Sequence, residues 1–493
     1  MEGIYDFYKK FNILFTCITF VLCVLKEKWN GYTYIFLIPL FYLPFFTFTN
    51  SMHRISRKKV GMLLLNIIMF YKYIITSFLV VLNQDFNAPH AYVNYIESYY
   101  NSISIFYLLG EMISIFLIII FLNKKIYKFK NINEDNDMKE HIGIEKMETT
   151  KTGFVIKAFL IIGTILLVIY PGEFIPSKLL YLNDEFEAEK STGFFTIISY
   201  AYKVVLISVL INKCIYKYKE SNKKVFILLS YLLILTLCLL NTSTSRTNMI
   251  VPLLLFLLIT KKIFDIKYAL IPLFIIAIIL SVNLSAVSRY KFSWKYENNV
   301  DNNALNVLQV GDSLQEYTSF IRPVAAALAT NNMYSKELGT RIMLNDTFGS
   351  IPILNHMVNK EYRYNNYYNY FVFNVPEKTS KIAPLIGYSI IYFGKFGFFI
   401  LTDLCVIVLM VIDNKIKNKK ETFLENFIIF YLLFVLADSI CCSYQSIIGR
   451  IFVRALPILI INELSKTCIK KDNYKTDNSI IKHKKEVVFK DNL

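Results

Sequence analysis

Two kinds of side chain in this sequence could do polar chemistry, and they are distributed very differently. Groups that could move a proton fall in one long polar stretch: Glu316 in "QEYTSFIRPV", Asp346 in "RIMLNDTFGS", and His356 soon after. A carboxylate or a near-neutral imidazole within reach of a hydroxyl is what general-base catalysis requires. The second kind is arginine, found only at positions 54, 57, 246, 289, 322, 341, 363, 450 and 454, in a chain whose other cations are lysines. Arg presents a planar fork of donors that grips phosphate in bidentate fashion, whereas Lys is a strongly hydrated point charge. A chain that uses Lys freely and Arg rarely uses Arg where shape matters. Arg246, the only cation in "NTSTSRTNMI", is therefore read with Arg289, Arg322, Arg341, Arg450 and Arg454 as a set that holds a diphosphate. The competing role of any single one is a pair with a loop carboxylate or a lipid headgroup.

Tyrosines crowd the segment "EYRYNNYYNYFVF". Tyr364, Tyr367 and Tyr368, with Arg363 among them, offer flat faces and polar tips suited to stacking on sugar rings; the alternative is an aromatic belt at the headgroups. No metal or other cofactor is expected. The connections assigned below to the outside hold no Asp-x-Asp pair, and the eight cysteines are scattered without a CxxC spacing. Lys72, Glu111, Lys203 and Asp403 stand inside apolar runs, where lone charges are costly, so they are expected to form buried pairs between helices. Arg450 and Arg454, four residues apart, should share a helix face, with an Arg454–Asp438 ion pair as the bland alternative.

The elements that must position these residues are set by composition. With 55% hydrophobic, 16% aromatic and 18% charged residues in 493, the chain is that of an all-α polytopic membrane protein. About twelve transmembrane helices are expected, at 11–25, 32–48, 60–82, 103–122, 154–170, 194–211, 225–240, 249–260, 268–287, 385–412, 427–442 and 447–464. Arg54, Arg57, Lys58 and Lys59 crowd one connection, Lys213 to Lys224 another, and Lys415 to Lys420 a third. Asp184, Glu185, Glu187 and Glu189 lie in a connection of the other parity. Basic loops stay inside, so both termini face the cytoplasm and the net charge of +17 is a topology signal, with no nucleic-acid partner implied. The domain reading is nine helices in 1–287, one large extracytoplasmic loop domain in 288–384, three more helices in 385–464 and a basic cytoplasmic tail in 465–493. Function should concentrate in the large loop.

Four segments, "NTSTSRTNMI", "QEYTSFIRPV", "FGSIPIL" and "GYSIIYFGKFG", resemble the bacterial O-antigen and capsular polysaccharide repeat-unit polymerases (Wzy type), over the chain from about the seventh apolar run to the twelfth. The resemblance implies a GT-C-like glycosyltransferase architecture in the bacterial cytoplasmic (inner) membrane and a metal-independent glycosyl transfer at its outer face. An undecaprenyl-diphosphate-linked glycan would be both donor and acceptor, with membrane lipid and a chain-length regulator protein as partners. Glu316, in a segment that carries the resemblance, is the expected base, with His356 and Asp346 in reserve. An O-antigen ligase shares the Ser-Arg hairpin and the donor chemistry, and differs in its acceptor. A lipid-linked oligosaccharide flippase would be built of two similar halves, a symmetry that the single outer stretch breaks. A sensor or structural membrane protein would have no need of so many outward arginines.

Overall fold

A computed structural model describes residues 2–26, 28, 30–82, 96–126, 153–175, 193–240, 251–257, 259–260, 314–334, 339–352, 354–373, 382–415 and 423–466. Among the described residues every regular element is helical. Six helices are long and apolar enough to cross a membrane: Tyr5–Leu25, Val60–Leu82, Ser98–Asn123, Phe194–Ser221, Lys395–Lys415 and Phe423–Cys441. Leu37–Phe48, Phe154–Ile169 and Val225–Leu237 are shorter apolar helices. Phe154–Ile169 buries only Gly163 and turns the rest of its apolar surface outward. Large apolar side chains exposed along whole helices, such as Val168 at 73% and Phe121 at 70%, suit a lipid solvent and would be a liability in water. This is the make-up of a helical membrane protein. Most of the expected runs at 249–260 and 268–287 lies outside the described residues.

Three of the expected spans are interrupted. The run at 385–412 is two helices, Leu385–Phe393 and Ile400–Lys415, separated by Gly394 and a 3-10 turn at Lys395–Gly397. Gly394 has φ +81°, a conformation that only glycine adopts without steric cost, and its amide closes the first helix onto the Ile390 carbonyl at 2.8 Å. The run at 447–464 begins with a short helix, Tyr444–Gly449, and then widens into a π turn, Arg450–Ala455. A second π turn, Phe70–Ile75, interrupts Val60–Leu82 and carries Lys72. Such turns are often found at functional positions because they re-aim side chains.

The chain forms two compact units. One comprises Met1–Lys139, Val300–Lys417 and Leu432–Ile451. Its centre is the helix Ile321–Met333, which packs against Ser98–Ile126, Leu385–Phe393 and Tyr364–Phe373. Small side chains at Ala325, Ala326, Ala327 and Ala329 allow that close approach, and all four are buried. Pro323 is tolerated because it falls in the first turn, and the Arg322 amide donates to Gln315 Oε1 at 3.3 Å in place of an intrahelical partner. The surroundings of this helix are other helices. Ser319, just before it, has φ +50° and donates through Oγ to the Cys441 carbonyl at 3.1 Å.

The other unit comprises Glu140–Asn299, Asn418–Tyr431 and Phe452–Leu493. Within it Gly193–Ser221 packs on Val225–Leu240 and Phe154–Ile169.

Candidate functional site

Asp346 is the best-connected polar side chain in the stretch that sequence reasoning singled out. It lies on the helix Gly339–Gly349 and is fully buried. Three elements converge on its carboxylate. Tyr392, near the end of Leu385–Phe393, donates from its hydroxyl to Oδ2 at 2.6 Å; the Tyr364 amide donates to Oδ1 at 3.2 Å; and Gln445, on Tyr444–Gly449, donates to Oδ1. Burial is the largest influence and raises the Asp346 pKa from 3.8 to about 6, against the opposing pull of these hydrogen bonds and of the Arg363 guanidinium. A carboxylate poised there can take and release a proton near neutral pH.

The wall around Asp346 is aromatic. The rings of Tyr364 and Tyr388 stand 4.7 Å apart, Tyr388 lies 5.9 Å from Tyr392, and Tyr392 meets Tyr444 edge-on at 5.6 Å. Tyr392 is partly buried, and its hydroxyl is engaged by the enclosed carboxylate. Arg363 packs over Gly349, where a Cβ would stand 3.1 Å from the guanidinium carbon, and its Nε is buried without a hydrogen-bond partner among the described residues. Gly387 brings Leu385–Phe393 against its neighbours: a Cβ there would come within 2.6 Å of the Tyr364 hydroxyl and 2.8 Å of Ala327 Cβ.

The other expected site residues are placed apart from this cluster or in other roles. Glu316 is half-buried in the helical turn before Ser319, and His356 is exposed on the 3-10 turn Asn355–Met357. Tyr364 and Tyr368 have no exposed surface, which corrects the expectation that their faces stack on sugars: their rings are core. Tyr364 packs on Tyr388 because Gly387 leaves room for it. Tyr367 is half-buried with its ring 4.3 Å from Tyr334.

Among the described residues the arginines have separate partners. Arg341 is exposed with its guanidinium 3.6 Å from the centre of the Tyr362 ring. Arg450 donates to Asp438 at 2.7 Å, so it is Arg450 that pairs with Asp438, where the alternative reading had placed Arg454. Arg454 lies 5.4 Å from the Tyr200 ring. Both stand in the π turn. Arg322 is half-buried at the start of the central helix. Arg246 and Arg289 lie outside the described residues.

A second buried polar cluster, with no part in the expected site, lies within the first unit. Lys72 and Glu111 form a fully enclosed ion pair at 2.7 Å, as lone charges in apolar runs led one to expect. Tyr73 and Thr402 donate to the same carboxylate at 2.8 and 2.9 Å, and Lys72 also donates to the Ile440 carbonyl. Asp403 accepts from Ser114; in the other unit, Lys203 donates to the Leu240 carbonyl at 3.0 Å. Every strong donor around Glu111 is already engaged, which marks the cluster as a structural tie between helices.

Sequence reasoning missed Tyr392, Gln445, Tyr388 and Tyr444 as site residues. The only available signal was Tyr392 and Tyr388 lying within "GYSIIYFGKFG". Compared with known protein families, curated proteins and solved structures, the chain finds no match.

Proposed function

We propose that the protein is a membrane glycosyltransferase that joins lipid-diphosphate-linked glycan units at the outer face of a bacterial cytoplasmic membrane, a polysaccharide repeat-unit polymerase. One observation carries the reading. Two of the segments that resemble that family lie against one buried carboxylate: Tyr392 donates to Asp346, and Gly349 faces Arg363, whose charge acts on Asp346. A cluster assembled from the segments of greatest resemblance is where shared chemistry would reside.

In this reading the acceptor sugar hydroxyl attacks the anomeric carbon of the donor glycan. A carbon–oxygen bond forms there, and the bond from that carbon to the lipid diphosphate breaks. The hydroxyl proton passes to the Tyr392 oxygen as Tyr392 gives its own proton to Asp346. Negative charge developing on the leaving diphosphate requires a donor, and Arg363, with a buried Nε lacking a partner among the described residues, is the candidate.

The test is reconstitution with lipid-diphosphate repeat units and a gel ladder as readout. Asp346→Asn should cut ladder formation by roughly 10²–10⁴-fold, the span of general-base catalysis, and Tyr392→Phe should lower it while leaving the carboxylate in place. A normal ladder from folded Asp346→Asn would remove the carboxylate from the chemistry. Wild-type protein that transfers glycan only to a lipid A core would make it a ligase.

A further inference from the structure

Four long apolar helices of the first unit have ends that polar side chains pin to one another. The Tyr5 hydroxyl meets His53 Nδ1 at 2.9 Å and Arg57 donates to Asp6 at 2.6 Å, which fixes the start of Tyr5–Leu25 against the helix Asn50–Lys58. Lys59 donates to the Asp413 carbonyl at 3.0 Å, and the Met62 amide donates to Asp413 Oδ2 at 3.1 Å, which joins the start of Val60–Leu82 to the end of Lys395–Lys415. Asn414 in turn donates to the Ile126 carbonyl at 2.6 Å, at the end of Ser98–Ile126.

This end of the unit is strongly basic. Residues 5–10, 50–62, 123–126 and 412–415 carry nine lysines and arginines against two acids. Both acids are committed within the fold: Asp6 pairs with Arg57, and Asp413 is buried and accepts from the Met62 amide. Lys10, Arg54, Lys125 and Lys415 are exposed. The positive field also reaches inward, where burial first, and then Lys9 and Arg57, lower the pKa of His53 to about 4.

The depth of these cations narrows the partner. Lys10 lies inside Tyr5–Leu25 and is followed directly by Phe11, Lys59 directly precedes Val60, and Lys415 closes Lys395–Lys415. Phe7 is 72% exposed and stacks on Phe11 at 6.5 Å, and Phe48, shortly before Asn50–Lys58, is 82% exposed. Lysine stems beside exposed rings can carry their charge to lipid headgroups while the rings contact acyl chains. A soluble polyanion would leave those rings against water, and a zwitterionic headgroup would leave the excess charge unanswered; an anionic lipid satisfies both. We propose that this basic end of the first unit is a docking surface for the headgroups of anionic phospholipid. The surface is independent of the glycosyl transfer proposed above, since none of its residues belongs to the Asp346 cluster.

Native mass spectrometry of the full-length protein released from detergent tests this, with phosphatidylglycerol and phosphatidylcholine of identical acyl chains supplied together. A cation at an anionic surface is worth roughly fivefold in binding, so wild type should prefer phosphatidylglycerol by ~10-fold or more, and the triple variant Lys10→Gln, Lys125→Gln, Lys415→Gln should bring the two lipids close to parity. The triple variant Lys213→Gln, Lys223→Gln, Lys224→Gln, which removes as many exposed charges from the other unit, should keep most of the preference. Each substituted side chain is exposed, and Lys10→Gln and Lys415→Gln alone should each show part of the loss. Equal uptake of the two lipids by wild type, or a preference that survives the first triple variant, overturns the surface. So does a preference abolished equally by the second triple variant, which would mark a response to net charge alone. Displacement of the bound phosphatidylglycerol by polyglutamate would assign the surface to an acidic protein and overturn the lipid.

Discussion

Asp346 and His53 should pull stability in opposite directions over the same pH range, and the pair offers a sharp test of the fold's electrostatics. His53, on the helix Asn50–Lys58, is buried with Nδ1 2.9 Å from the Tyr5 hydroxyl. Burial, joined by the nearby charges of Lys9 and Arg57, lowers its pKa from 6.5 to about 4. For Asp346 the folded pKa is the higher one, about 6 against 3.8, so the folded state holds the extra proton; its contribution is greatest below pH 4 and is lost as pH rises through 6. For His53 the unfolded state holds the extra proton, so stability is lost as pH falls from about 6.5 through 4. At 1.36 kcal/mol for each pH unit between folded and unfolded values, the two effects are each about 3 kcal/mol and of opposite sign. They share no hydrogen-bond partner and should add. These two groups therefore leave little net slope in the wild type between pH 4 and 6.5, and each substitution exposes the other group. Relative to wild type, Asp346→Asn should gain stability as pH rises through this range, and His53→Gln should lose it. Thermal unfolding in detergent, followed by intrinsic fluorescence at half-unit pH steps, would read each as a Tm difference that changes by on the order of 5 °C from pH 4 to 6.5. Difference curves that stay flat in both variants would refute the burial of these groups.

Two further outcomes test the packing. Lys72→Met strands the Glu111 carboxylate with only neutral donors and should destabilise by about 3–5 kcal/mol, while Lys72→Met with Glu111→Gln should recover a good part of it; equal losses in the single and double variants, measured by detergent unfolding, would deny the pair. Gly387→Ala should cost about 1–3 kcal/mol by overpacking against Tyr364 and Ala327, read by the same unfolding assay, and an unchanged midpoint would mean that the helices stand further apart.

What the sequence disclosed depended on whether hydropathy or local geometry governed the feature. Lys72 and Glu111 were legible as partners because an isolated charge in an apolar run has few ways to be satisfied, and the structure pairs them at 2.7 Å. The place of the helix Ile321–Met333 at the centre of a unit was not legible, because hydropathy assigned the whole of 288–384 to a loop. The break at Gly394 was passed over although Gly394, Lys395 and Gly397 interrupt the apolar run, because a window average carries no information about φ. Periodicity likewise missed the π turn that holds Arg450 and Arg454, because it assumes an α-helix. Tyr364 shows the same limit: a ring with a polar tip suits a sugar face and a core equally well, and only Gly387 across from it decided for the core.

The arginine pattern deserves a different physical reading from the one its rarity suggested. Arg341 lies against a tyrosine ring, Arg450 grips a carboxylate and Arg454 approaches a second ring, all partners that a planar, weakly hydrated guanidinium serves better than an ammonium. Their rarity thus follows from local fit, with no common anion required. Arg363 differs, because it keeps a buried donor without a partner among the described residues while its charge holds the pKa of Asp346 down. If a diphosphate binds at Arg363, its negative charge cancels part of that influence, and the carboxylate becomes a stronger base only when donor is present. An acceptor hydroxyl would then be activated after the donor has docked, which disfavours loss of its proton in an unproductive complex. Arg363→Gln would impose the raised basicity permanently: the acidic limb of the pH–rate profile should move upward by several tenths of a pH unit, together with weaker donor binding. A limb that stays in place while donor binding weakens would show that Arg363 and Asp346 act independently.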